Sequence, residues 1–385
     1  MQQIIPHHKC TGCAACYTVC NHKAITMQLD EEGFEFPMIN QSFCVDCGLC
    51  ASICPVLHYD YKKRKDYSRI QKGYAVRNKN YDQRLISSSG GIFPVLAEEI
   101  IKMGGIVYGT AFDEQFNAIH LAIETNDDIV KLQGSKYLQC KADDSTFRKI
   151  RKELNSGRVV LYSGMACQVE GLKAYLNKDY DNLFTIDLIC MGIPSSRVWQ
   201  IYLQTFFRGE IIKHVNFKEK SIGWNSFCFY VETNKRTFKE RGMHNLYLQS
   251  MFRSWNMRVS CFQCPFKKAE RLSDFTLADC WGVSNSVPEI DDNKGLSSVI
   301  VHSEKGLGLW NTISCKIDQV ETEISEIAKG NSNLVSNKQP AGNRDYFYQL
   351  LSKNPKKAFK ELCSDKPSSF YQRIKAKIRR HLRWL

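Results

Sequence analysis

Cys10-Thr11-Gly12-Cys13-Ala14-Ala15-Cys16-Tyr17-Thr18-Val19-Cys20 and Cys44-Val45-Asp46-Cys47-Gly48-Leu49-Cys50-Ala51-Ser52-Ile53-Cys54-Pro55 repeat one spacing, Cys-x2-Cys-x2-Cys-x3-Cys. Such a run sets three thiolates around one [4Fe-4S] cube and sends its fourth cysteine to the neighbouring cube. Cys10, Cys13, Cys16 and Cys54 are therefore expected to bind one cluster, and Cys44, Cys47, Cys50 and Cys20 a second. Zinc ribbons use two Cys-x2-Cys pairs rather than two four-cysteine runs, and disulfides need an oxidising compartment, so both are weaker readings.

Between the runs, residues 25–29 and 34–39 are short β-like stretches around the turn Asp30-Glu31-Glu32-Gly33, the pattern of a hairpin. Residues 1–58 resemble a bacterial-type two-cluster ferredoxin, which implies a small α+β domain spanning about residues 1–60. Asn21 stands where such ferredoxins usually carry proline, as in Cys54-Pro55, and removes no ligand.

With 385 residues and 43% hydrophobic content, the chain has room for two or three domains. No segment approaches the ~18 uninterrupted apolar residues of a membrane span, and the first residues lack a charged and then apolar leader, so a cytoplasmic location is expected. Seventeen cysteines there point to metal ligation. The formal charge is +13, with residues 1–60 holding two Lys/Arg against six Asp/Glu. A cube with its four thiolates carries about −2, so three clusters would leave roughly +7. No nucleic-acid partner is expected, since a basic face equally serves anionic cofactors, acidic electron carriers or lipid.

Residues 61–72, with Lys62, Lys63, Arg64 and Lys65, read as a basic linker. From Gly73 onward helix-like and strand-like segments alternate: helices over 92–103 and 145–154, and strands over 105–112, 118–125, 159–163 and 183–189. This is α/β patterning. A β-rich insertion (211–217, 227–233), a helix (245–255) and a strand (298–302) follow. Of the later cysteines, Cys167 and Cys190 follow strands, and Cys261-x2-Cys264 lies on an irregular loop. Spacing alone leaves open whether these four bind a cluster or are buried structural cysteines.

Residues 73–347 resemble the beta subunits of coenzyme F420-reducing hydrogenases and dehydrogenases, FrhB/FdhB-like iron-sulfur flavoproteins. The resemblance rests on Ser88-Ser89-Gly90-Gly91, Gly134-Ser135-Lys136-Tyr137, Ser163-Gly164-Met165-Ala166-Cys167-Gln168, Asp187-Leu188-Ile189-Cys190-Met191-Gly192, Cys261-Phe262-Gln263-Cys264, Ser273-Asp274-Phe275 and Ser297-Ser298-Val299-Ile300-Val301. It implies an α/β flavoprotein module in two parts, 73–160 and 161–347, with Cys167, Cys190, Cys261 and Cys264 binding a third [4Fe-4S] cluster, and FAD. Ser87, Ser88, Ser89, Gly90 and Gly91 open a helix and read directly as either a capping turn or an anion cradle. The resemblance favours the phosphates of FAD there, with Lys136 and Tyr137 beside them.

Clusters pass single electrons and a hydride carries two, and a flavin converts one into the other. The expectation is an oxidoreductase moving electrons between ferredoxin-type clusters and a hydride-level substrate through FAD, with a redox partner or small-molecule hydride donor or acceptor. The alternative is a non-catalytic subunit relaying electrons to a partner enzyme. No catalytic acid or base is nominated. In the tail (348–385), Phe370, Ile374, Ile378, Leu382 and Leu385 share one helical face among six basic residues. That pattern suits a helix on an anionic membrane surface, hence a peripheral position at the inner face of the membrane; a solvated or partner-docked terminal helix is the alternative.

Overall fold

The computed structural model describes residues 3–282, 287–339 and 342–364. The expected hairpin is β1 (Ile25–Leu29) against β2 (Glu35–Ile39), antiparallel with Ile25 opposite Ile39. Strands β3 (Lys72–Asn78), β4 (Ile106–Phe112), β5 (Ala118–Ile123), β6 (Val160–Ser163) and β7 (Leu183–Leu188) follow, interleaved with helices. The β-rich insertion is a separate antiparallel sheet of β8 (Ile212–Glu219), β9 (Cys228–Thr233) and β10 (Thr237–Arg241). Strands β11 (Phe275–Asp279), β12 (Ser297–Val301) and β13 (Ile317–Thr322) return to the main sheet.

That main sheet has the order β13-β3-β12-β11-β7-β6-β4-β5. Its centre, β11-β7-β6-β4, is parallel, and antiparallel strands extend both edges. Parallel strands are covered on both faces, so they read as continuous apolar runs. Val160, Leu161 and Tyr162 of β6 are all fully buried. Helix Ile92–Lys102 packs Val95, Leu96 and Ile100 with Val107 and Leu161 on one face. Helices Thr146–Asn155 and Ala166–Leu176 pack Ile150 and Leu172 with Val160 and Tyr162 on the other. The carboxyl ends of β6, β7 and β11 consequently open on the same edge, where an α/β sheet presents a crevice.

The structure differs from the sequence reading at two boundaries. Residues 61–72 are not a free linker: Tyr61–Tyr67 is a helix capped by Asp60, whose carboxylate accepts from Lys63 N–H. Buried Arg64 forks onto Glu170, at 2.8 and 2.7 Å, and Ser68 bonds Arg271 O. A charged run reads as solvated until a counter-charge in another element takes one of its members inside. The tail also begins later than 348, because Leu351, Phe359 and Cys363 join Tyr202 and Trp199 in the core beside β8 and β9. The expected membrane helix at 370–385 lies outside the described residues. Among the described residues no helix is long and apolar enough to cross a membrane.

Candidate functional site

The two cysteine runs fold alike. Left-handed backbone falls just before and just after the middle cysteine in each, at Gly12 (φ 71) and Ala14 (φ 64) around Cys13, and at Asp46 (φ 50) and Gly48 (φ 71) around Cys47. These turns wrap three thiols around a common centre, and short helices at Ala15–Val19 and Leu49–Ser52 carry the chain on towards each fourth cysteine. Cys10, Cys13, Cys16 and Cys54 line one small cavity together. Burial first, then the charges of Cys10 and Cys54, push the Cys13 thiol up to about 12; burial with Cys13, Cys10 and Cys54 raises Cys16. Cys50 is raised by burial and, among its neighbours, by Cys44 and Cys20. Cys16 also feels Cys50, so the two runs lie close enough for their thiols to act on one another.

A third set assembles at the sheet edge. Cys167 is in the first turn of the helix after β6, Cys190 lies just past β7, and Cys261 and Cys264 frame the end of the 3-10 turn Val259–Gln263. Burial, then Cys264, Cys190 and Cys261, raise the Cys167 thiol far above its ordinary range. Burial likewise takes Cys190 to about 11 and Cys261 to about 12. Each of these thiols, once ionised, opposes ionisation of its neighbours. Among the described residues no three Cys, His, Asp or Glu side chains converge on a single ion; thiols spread around an iron-sulfur cube stand further apart. Ile193 N–H donates to Cys261 Sγ at 3.3 Å, and buried Lys267 donates to Met191 O at 3.1 Å.

Beside this set lies a cavity of about 300 Å3. Its walls include Cys167 and Cys190, Thr11 and Gly12 of the first run, and Ser87, Ser88, Ser89 and Gly91. Gly91, at φ 75, caps helix Ile92–Lys102 with no side-chain hydrogen bond to its first turn. The helix thereby turns unsatisfied N–H groups and its positive end to the cavity. Ser88 Oγ accepts from Ser135 N–H and Oγ at 2.7 and 2.8 Å. Ser89 Oγ donates to Asp279, which also receives Lys218 Nζ at 2.6 Å. Gly90 departs from expectation: it is absent from the cavity wall and its N–H bonds Ser297 Oγ. A Cβ on Gly90 would come within 2.5 Å of Val76 O, so this glycine is required by packing against β3.

Lys136 and Tyr137 both line the cavity. Lys136 Nζ donates to Gln133 O at 2.7 Å and Lys131 O at 3.3 Å, and burial lowers its pKa to about 7. The Tyr137 ring meets Phe217 edge-on. Sequence reading passed over Thr11, Gly12, Asp279 and Cys140, all of which reach the cavity. Cys140 has no partner at ligand spacing, yet its Sγ lies 3.4 Å from His120 Nδ1, and His120 Nε2 is 3.2 Å from the Tyr162 hydroxyl. No local pattern announces contacts made through tertiary packing.

Two cysteine runs of iron-sulfur spacing are docked on an α/β module that gathers further thiols beside a cavity. Residues 9–57 match the 4Fe-4S dicluster domain, and residues 157–327 the C terminus of the coenzyme F420 hydrogenase/dehydrogenase beta subunit. The later part of the chain is thus similar to that beta subunit's C terminus, with a region similar to the dicluster domain ahead of it. Similar proteins include the coenzyme F420-dependent sulfite reductase of Methanocaldococcus jannaschii, 23% identical over 310 residues (72% of this chain, 47% of that one). Another is a subunit of the F(420)H(2) dehydrogenase of Methanosarcina mazei, 22% identical over 204 residues (49% and 55%). The chain thus spans about half the length of these curated relatives. A solved F420-reducing [NiFe] hydrogenase complex from Methanosarcina barkeri contains a chain that aligns with TM-score 0.44 and 16% identity, over 75% of this chain and 90% of that one.

Proposed function

We propose that the protein exchanges electrons between three [4Fe-4S] clusters and a hydride-level substrate through FAD. The ligands are Cys10, Cys13, Cys16 and Cys54; Cys20, Cys44, Cys47 and Cys50; and Cys167, Cys190, Cys261 and Cys264. One observation carries the reading: a single cavity is walled at once by the Ser/Gly loop, by two cysteines of the third set and by the loop of the first run. A redox cofactor held by these residues would lie beside both cysteine sets.

The residues fit an anionic cofactor. The uncapped helix at Gly91, the Ser88 and Ser89 hydroxyls, and Lys136 converge on the cavity, and Lys136 gains its proton when a phosphate arrives. Bound there, a flavin supplies the conversion between single electrons and a hydride. Tyr137 and Leu188 would offer it an aromatic and an apolar wall. Relatives are named for coenzyme F420, and a deazaflavin of that class is the first hydride carrier to test.

A second reading, an electron relay without flavin, draws on the contacts already made: Ser89 is held by Asp279, and Lys136 by two carbonyls. Iron, acid-labile sulfide and flavin measured per chain on anaerobically purified protein separate the two. About 12 Fe with one FAD supports the converter; about 8 Fe and no flavin after reconstitution leaves the relay.

A further inference from the structure

Arg258 is 1% exposed and lies between two of the cysteine sets. Its main chain belongs to the third set: its N–H donates to Ile193 O at 2.9 Å, and its carbonyl accepts from Cys261 N–H at 3.0 Å. Its side chain reaches the first. Nε donates to Cys10 O at 2.7 Å, Nη2 donates to Glu35 O at 3.0 Å, and the guanidinium stacks 3.9 Å over the Phe36 ring. Both hydrogen bonds go to neutral carbonyls, while the Glu35 carboxylate turns away to accept from Ala142 N–H. Nη1 is buried with no hydrogen-bond partner among the described residues. A Cβ on Gly12 would lie 3.1 Å from that nitrogen, so glycine between Cys10 and Cys13 lets the first run close on it.

The two sets are themselves neighbours. A Cβ on Gly171, in the helix that begins at Ala166 and carries Cys167, would meet Cys13 Sγ at 3.0 Å. The Glu35 carboxylate is near enough to feel the Arg258 charge but hydrogen-bonds elsewhere, and a buried guanidinium with no carboxylate hydrogen-bonded to it is unfavourable. A cube bound by four thiolates carries about −2 and becomes more negative on reduction. We propose that Arg258 is the charge-compensating and positioning residue between the Cys10/Cys13/Cys16/Cys54 cluster and the Cys167/Cys190/Cys261/Cys264 cluster, raising both reduction potentials. The proposal rests on the reading that the third set binds a cluster. The Cys20/Cys44/Cys47/Cys50 cluster, where Asp46 accepts from Cys44 Sγ at 3.6 Å, makes no contact with Arg258 and serves as the internal reference.

The test is a stepwise reductive titration of the full, anaerobically loaded chain, with each cluster followed by electron paramagnetic resonance and iron counted beforehand. In Arg258→Gln the reduced-to-oxidised ratio of the two inner clusters, at the wild-type midpoint, is expected to fall about tenfold, a shift of ~59 mV for a one-electron couple. The outer cluster keeps its potential. A packing strut alone would leave all three potentials in place, and that result overturns the proposal. If Arg258→Gln holds less iron, Arg258→Lys decides: retention of the clusters with inner potentials near wild type supports charge compensation, and loss of them overturns it. A wild-type chain with about 8 Fe and no third signal would instead refute the three-cluster reading.

Discussion

Replacing Arg64 by methionine should release the segment that joins the N-terminal cysteine runs to the sheet. Arg64 and Glu170 are 4% and 7% exposed at their side chains and share two hydrogen bonds, at 2.8 and 2.7 Å. Removing one partner of such a buried pair costs about 3–5 kcal/mol, because the other charge is left uncompensated. At about 1.4 kcal/mol per decade, the open form of helix Tyr61–Tyr67 becomes roughly a hundredfold or more as populated. Trypsin reads this directly, since Lys62, Lys63 and Lys65 are exposed on a helix too ordered to cleave until it opens. Arg64→Met combined with Glu170→Leu should recover most of the loss, because an apolar pair removes the stranded carboxylate. The effect also carries a pH signature. Burial raises the Glu170 pKa and Arg64 opposes it, so without Arg64 the carboxyl holds its proton higher still. The native state then binds more protons than the unfolded chain, and stability falls as pH rises through that range. The Arg64→Met deficit should therefore be larger at about pH 8 than at about pH 5. Cleavage within threefold of wild type at both pH values would refute the clamp.

Cys167→Ser should lower iron from about 12 to about 8 per chain while Cys228→Ser, whose buried thiol lies on β9 away from the three sets, leaves iron unchanged; iron and sulfide assays check both. Gly33→Ala should undock the hairpin: Gly33 sits at φ 86, and its Cβ would fall 2.1 Å from Arg197 Cβ. The backbone alone costs about 1–2 kcal/mol, and faster amide exchange over Ile25–Leu29 is the readout. Lys136, lowered to about 7 by burial, binds fewer protons folded than unfolded, so native stability rises as pH climbs from there towards the ordinary lysine range. A phosphate in the cavity restores the proton. FAD affinity, measured by calorimetry, should thus weaken as pH rises past about 7, and Lys136→Met should lower affinity and flatten that dependence.

The two cysteine runs were legible because their turns are local. Three thiols within seven residues need only a pair of left-handed turns, and Gly12 and Gly48 mark one turn in each run, although Ala14 and Asp46 adopt the same backbone without any sequence sign. The hairpin and the alternation of helices and strands were legible for the same reason, since period and turn chemistry act over a few residues. Gly90 was misassigned because a glycine in a Ser/Gly run looks alike whether it admits a ligand or a neighbouring strand; only the approach of Val76 O distinguishes them.

By itself, then, the sequence determined that two cysteine runs of one spacing flank a hairpin and that an α/β module follows, because those outcomes depend on short-range spacing. Tertiary structure alone decided which charges went inside. Arg64 meets Glu170 from 106 positions away, and Arg258 reaches Cys10 from 248. It also decided that Cys167 and Cys190 reach one cavity with Cys261 and Cys264 close behind, since that edge exists only where parallel strands end side by side. A charge or a thiol carries no local mark of its partner; burial and approach are fixed when distant segments pack.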